Sequence, residues 1–222
     1  MTAHLYWDKV WRTDNGRADW SQPHPWVVDE ADRLRARGLE DILDLGCGIG
    51  RHALFFAQQG FASTGIDRSP TAIATAETAA RELGVELALQ VGDFTTLPYP
   101  ADSFDYVLAF NVVYHADETG LATVLSEIRR VLRPSGIYQC TMLSKRNREY
   151  GRGNEISPNT FVQPDATDDK IHPHLYTNIA DIVRLHNGFQ LLSADDSEHS
   201  TPGSFHWHCR FELTATTAED EK

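Results

Sequence analysis

The chain reads as an α/β fold built on a mostly parallel sheet, and two observations predict this. Short apolar runs alternate with helix-period segments at βαβ spacing, and such units close with right-handed crossovers. The chain also ends differently, in two strand-like runs with no helix between them, 189–192 and 205–213. These suit an antiparallel hairpin at the end of the sheet.

The elements follow in order. Residues 1–38 form an arm rich in aromatics (Tyr6, Trp7, Trp11, Trp20, Trp26), closing with a short amphipathic helix on Val27, Ala31 and Leu34 that Gly38 stops. Residues 42–45 are the first apolar run, and residues 53–57 belong to a helix ending near Gly60. The second run, 62–66, ends on Asp67. Ser69 and Pro70 then open a helix as N-cap and first helical residue, with Ile73, Ala76, Ala80 and Leu83 as its stripe and Gly84 as its stop. Residues 87–91 and 104–110 are the third and fourth runs. Between the fourth run and the fifth (137–143) lies the most periodic helix, with Leu121, Val124, Leu125, Ile128, Val131 and Leu132 on one face. Residues 144–176 are polar, fit neither period, and are expected to be irregular and functional. The tail from Thr214 to Lys222 is expected to be solvated.

Composition narrows the class. The 222 residues carry 20 Lys+Arg against 32 Asp+Glu, a net charge of −12. That balance disfavours nucleic acid as a partner, because phosphate contacts need a basic surface. No apolar run approaches the ~18–20 residues needed to span a bilayer, and the N-terminus lacks a signal-peptide pattern. Cys47, Cys140 and Cys209 are widely spaced and odd in number, which argues for a reducing, cytoplasmic setting.

The chemistry concentrates where strands meet helices. Asp44-Leu45-Gly46-Cys47-Gly48-Ile49-Gly50 joins the first strand to the first following helix, where glycines permit a sharp turn and close approach of a ligand. Asp67 closes the next strand about 20 residues on, the position from which a ribose diol is bridged. Asp93 closes the third. These motifs, with Gly65-Ile66-Asp67, Gly92-Asp93-Phe94, the strand through Asn111, and Arg130-Val131-Leu132-Arg133-Pro134-Ser135-Gly136, resemble the class I S-adenosylmethionine-dependent methyltransferases over about residues 40–143. In the last motif Ser135 replaces a usual glycine.

The resemblance implies a Rossmann-like, doubly wound seven-stranded sheet over residues 39–213, with S-adenosylmethionine as cofactor. It implies that Gly46, Gly48 and Gly50 line the methionine part with Asp44 nearby, that Asp67 takes the ribose hydroxyls, and that Asp93 and Phe94 meet the adenine. Asn111 and Val112 then stand at the cofactor's amino group. Arg51 and His52 follow the loop, Arg68 follows Asp67, and Trp11 and Trp20, with Trp7, are expected to form a lid. In size and aromatic N-terminus the chain also loosely resembles the tellurite- and thiopurine-handling methyltransferases.

The acceptor is expected beside the aromatic arm, the strand end Asn111–His115 and the 144–176 insertion. His115 is the candidate general base, since an unperturbed imidazole titrates near 6.5. Tyr114, His172, His174 and His206 are further catalytic candidates. The pairs His172-Pro173-His174 and His206-Trp207-His208 place two rings on one face if extended. With Cys209 off that face and no recognised ligand spacing, no metal is expected. Lys145, Arg146, Arg148 and Arg152 are expected to offer an anion a basic loop, and Tyr138 and Trp207 to supply apolar walls. The leading expectation is a methyltransferase acting on a small, anionic molecule. A protein or RNA substrate, and a non-catalytic binder, are the alternatives, and the oligomeric state is left open.

Overall fold

The structure is a computed structural model describing residues 3–199 and 201–214. The solvated tail expected beyond Thr214 lies outside these residues.

Helices α1 (His4–Trp11), α2 (Asp14–Ala18) and α3 (Pro25–Ala36) precede the first strand. The body then runs β1 (Asp41–Leu45), α4 (Arg51–Gln58), β2 (Ala62–Asp67), α5 (Pro70–Leu83), β3 (Ala88–Val91), β4 (Phe104–Ala109), α6 (Glu118–Val131) and β5 (Leu132–Ser144). Next come β6 (Asn154–Ser157), β7 (Thr160–Val162), a 3₁₀ turn at Asp169–Ile171, β8 (His174–Thr177), α7 (Ile179–Leu185), β9 (Phe189–Glu198) and β10 (Phe205–Leu213).

Among the described residues ten strands form one sheet; β3-β2-β1-β4-β5-β10-β9 is one path across it, and β8, β7 and β6 branch from β5. β10 alone in this order runs antiparallel, wedged between β5 and β9. Side-chain alternation shows both faces covered. Ile42, Tyr106, Leu108 and Ile137 pack with Val27, Ala31 and Leu34 of α3 and Phe56 of α4. Leu43, Leu45, Val107, Tyr138, Cys140 and Met142 point the other way, into Leu121, Val124, Leu125 and Ile128 of α6. Strands buried on both faces are the mark of a doubly wound sheet.

Local signals act as expected. Ser69 Oγ accepts from the Ala72 amide to start α5, and Gly84 ends it at φ +66°. Ser135, standing where the resembled family has glycine, takes φ +62°, a strained value for a residue with a Cβ.

Three expectations change. The 144–176 segment is not irregular: β6, β7 and β8 form an antiparallel ribbon, and β8 joins β5 through Leu143↔Tyr176 and Ser144↔Thr177. Its strands are only three or four residues long, too short to show a period. Tyr138 is no pocket wall. It is fully buried against Phe189, His186 and Phe211. The cations of the basic loop are paired: Lys145 with Asp181, Arg146 with Asp196, and Arg148 and Arg152 both with Glu149.

Candidate active site

β1 pairs with β2 on one side and β4 on the other, so the strand order reverses at β1. A doubly wound sheet opens a crevice at the carboxyl ends beside such a reversal. A cleft stands there.

The glycine loop is its floor. Gly46 has φ +67°, and a Cβ on it would come within 2.6 Å of Val112. Gly48 has φ +55°, and its Cβ would meet the Trp11 ring at 3.2 Å. Glycine is required at both for turn and space alike. Gly50 does a different job. It lies outside the cleft lining, and its missing Cβ lets Ala76 of α5 and Leu54 of α4 close up.

Two carboxylates hold the loop. Asp67 accepts from the amides of Gly48 at 2.9 Å and Ser69 at 2.8 Å. Burial pushes its carboxyl up, against those bonds. Asp44 accepts from the Ala53 amide, and burial raises it to about 7. A carboxyl poised near neutrality in a cleft marks a functional site.

The aromatic arm is the roof. Trp7 stacks on Trp11 at 5.3 Å, and Trp20 stands edge-on to both. The Arg51 guanidinium lies 4.8 Å from the Trp20 ring and 5.2 Å from Phe110, within cation–π range. Asp8 of α1 accepts from Ser69 Oγ at 2.6 Å, and this bond holds its carboxyl down at about 2. The arm is thereby tied to the start of α5, beside Asp67.

Asn111, two residues past β4, has φ +59°. Thr141 fixes it twice: Thr141 Oγ1 accepts from the Asn111 amide and donates to Asn111 Oδ1. Strain held in this way clusters at ligand sites.

Trp11, Trp20, Asp44, Gly46, Gly48, Arg51, His52, Asp67, Arg68, Phe94, Asn111 and Val112 all line the cleft, with His115. Asp93 does not. It accepts from the Thr95 amide and pairs with Arg68. Tyr114, His174 and His206 face a neighbouring cleft with Asp169 and Lys170, and His172 lines neither. Trp207 also lines neither; its indole donates to the Thr177 carbonyl.

Beyond His52 the structure gathers residues that sequence reasoning left apart. His24 donates its amide to His52 Nε2, and its ring stacks with His208 and lies against Phe110. His199 and His208 approach at 2.9 Å through their Nε2 atoms, and His199 stacks on His206 at 3.9 Å. Burial holds His206 near 3 and His199 and His208 near 4, so these rings are neutral at pH 7. Phe110 and Asp169 were also missed. Phe110 reads as one more strand residue, and Asp169 as one acid in a polar stretch.

The fold and this cleft define the class: the chain has the architecture of the class I S-adenosylmethionine-dependent methyltransferases. Residues 42–136 match the family model described as Methyltransferase domain. It is 38% identical over 100 residues to a sterol 24-C-methyltransferase of Gibberella zeae, covering 44% of this chain and 26% of that one. A sterol 24-C-methyltransferase of Pneumocystis carinii is 34% identical over 163 residues, 71% of this chain and 41% of its own. An uncharacterized methyltransferase of Synechocystis is 28% identical over 139 residues, 54% and 63%. The chain thus spans under two-thirds of the length of these relatives.

Among solved structures, the fold matches 1,6-didemethyltoxoflavin-N1-methyltransferase of Burkholderia thailandensis, bound to 1,6-didemethyltoxoflavin and S-adenosylhomocysteine. The TM-score is 0.71 at 19% identity, over 96% of this chain and 89% of that one. A SAM-dependent methyltransferase of Methanosarcina mazei matches with TM-score 0.71 at 22% identity, over 87% and 99%.

Proposed function

We propose that the chain binds S-adenosylmethionine in the β1/β4 cleft and transfers its methyl group to a small molecule. The observation that carries this is the glycine cradle held by Asp67 and roofed by Trp11. Bare backbone at Gly46 and Gly48 admits a flat, extended ligand. The acids suit one that is cationic and carries no phosphate, whereas a dinucleotide favours bare helix N-terminal amides. In this reading Asp67 holds the ribose hydroxyls, Phe94 flanks the adenine, and Gly46, Gly48 and Asn111 flank the methionine part. The cofactor, when bound, supplies an electrophilic methyl group on a sulfonium sulfur.

The chain's residues do the rest. The arm of residues 1–38 is the lid that excludes water, with Trp7, Trp11 and Trp20 as its inner surface. The acceptor enters on the His115 side. Burial pushes the His115 imidazole well below its ordinary range, so it is neutral at pH 7 and offers a lone pair. A general base uses such a lone pair, as the sequence reading expects of His115. A small, partly enclosed cleft and the net charge of −12 favour a metabolite over RNA.

Calorimetry with S-adenosylhomocysteine tests the cofactor site. Asp67→Ala is expected to abolish measurable binding, and unchanged affinity sinks the assignment. His115→Ala is expected to keep cofactor affinity and lose transfer in a screen of metabolite acceptors.

A further inference from the structure

The acceptor side holds a group that hydrogen bonding leaves unexplained. His115 is buried, and among the described residues neither of its ring nitrogens has a hydrogen-bond partner. His174 is buried too. Its Nδ1 lies 2.8 Å from the His172 carbonyl, so Nδ1–H donates there and the Nε2 lone pair is left without a hydrogen bond. Asp169 Oδ1 accepts from Lys170 Nζ at 2.6 Å, while Oδ2 stands 3.6 Å from His174 Nε2. That is too long for a hydrogen bond. It is close to the about 3.4 Å that separates two ligand atoms on one ion with bonds of 2.0–2.1 Å. One ligand atom from each of His115, Asp169 and His174 lies within 4.8 Å of the others.

Buried polar atoms without partners are rare, and an absent ion is one of their ordinary explanations. We propose that His115, Asp169 and His174 bind one divalent transition-metal ion of the zinc class, at the acceptor edge of the methyl-transfer cleft. Two imidazoles and a carboxylate make a three-ligand set with an open position. The outer contacts suit it. The His172 carbonyl fixes the His174 tautomer in the way that outer partners of ligating histidines do. Lys170 Nζ, donating to Oδ1, orients the Asp169 carboxylate and leaves Oδ2 facing His174.

The backbone ties the three together. The Leu175 amide donates to the Tyr114 carbonyl at 2.8 Å, joining the residues beside His174 and His115. The His172 amide donates to the Asp169 carbonyl at 3.0 Å, joining the 3₁₀ turn to the same strand.

The second histidine cluster is the weaker candidate, because its rings already have partners. His199 and His208 share an N–H···N bond, and His24 Nδ1 accepts from the Trp26 amide. A metal bound through His24 Nε2 would put a proton on Nδ1 and break that cap.

The proposal rests on the reading above, in which acceptors enter beside His115, and it narrows them to molecules bringing an oxygen donor to the open position. The ion then lowers the pKa of that oxygen, and its proton leaves to solvent. His115 acts as a ligand in this state and takes no proton itself.

The test needs no turnover. Elemental analysis of protein purified without chelator is expected to show one metal per chain. Zinc(II) titrated into chelator-treated protein is expected to bind at one site. Affinity is expected to fall at least about 100-fold in His174→Ala and in the isosteric Asp169→Asn, beyond the loss of an outer partner. His208→Ala is expected to keep the site. Cobalt(II) is expected to give the visible absorption of a low-symmetry site in the wild type and none in Asp169→Asn. S-adenosylhomocysteine affinity checks folding of each variant and reports on the cofactor site separately. Absence of stoichiometric metal, or metal lost in His208→Ala and kept in His174→Ala, overturns the proposal. In either case His115 returns to the role of general base.

Discussion

The two sides of the cleft are built differently. The floor of the cofactor side comes from one stretch, Asp44 to Asp67, whose residues meet because a strand, a helix and a strand fold back on each other; Trp11, Phe94 and Asn111 close around it. The acceptor side draws on His24, Asp169, His174, His199 and His208, which come from four separate parts of the chain. Burial holds its His199, His206 and His208 neutral at pH 7, whereas the cofactor side has carboxylates held by backbone amides. A site whose ligand is common to a whole class can be fixed by local geometry. A site that selects one acceptor can be assembled from inserted and terminal pieces without disturbing the first.

Substitutions can break this contrast. The largest effect is expected for Asp67→Ala, which removes a charged acceptor from two amides. Each such bond is worth about 1.5–3 kcal/mol, so the loop loosens and, with the proposed ribose acceptor gone too, cofactor binding should fall below calorimetric detection. Gly46→Ala comes next. Its Cβ would overlap Val112 at a positive φ, and about 1–3 kcal/mol of stability should be lost along with cofactor binding, read by thermal melting.

The pH profile should separate the sides by sign. In the unfolded chain His199, His206 and His208 titrate near 6.5; in the fold they titrate near 4, 3 and 4. Above 6.5 they are neutral in both states. Between 6.5 and 4 the unfolded chain takes up protons that the fold refuses, so Tm should fall as pH falls through that window. Asp44 works oppositely. Its raised carboxyl favours the fold at low pH, and that contribution is lost as pH rises through about 7. Asp44→Asn should therefore raise Tm at pH 8 by roughly 2–4 °C for each kcal/mol relieved. His206→Gln should flatten the acid limb alone. A single profile moved equally by both variants would erase the distinction.

The smallest effect belongs to neither side. Ser135→Gly should relieve a left-handed strain worth about 1 kcal/mol and raise Tm by a few degrees. Cofactor and metal affinities should not change.

How much could be read from sequence follows the same division. That Gly46, Gly48, Asp44 and Asp67 share one cleft was legible because their spacing along one βαβ unit is their spacing in space, whereas Gly50 lies outside its lining. Asp93 misled, because ending a strand does not decide whether a carboxylate turns into the cleft or, as here, toward Arg68 and the Thr95 amide. Tyr138 misled similarly: an apolar ring beside a site looks the same in sequence as one buried beneath it. The basic loop showed its cations but not Asp181 and Asp196, which arrive from more than thirty residues away.

By itself, the sequence determined the alternation of strands and helices, the caps of the helix after Asp67 and the cofactor half of the cleft, because short-range sterics and hydrogen bonding decide these. Only the tertiary structure decided that β8 comes up against the segment after β4, at Tyr114, setting His174 and Asp169 beside His115. It also decided that β10 inserts beside β5, carrying His208 to His24. Chain separation carries no information about those meetings; burying both faces of the sheet brings them about.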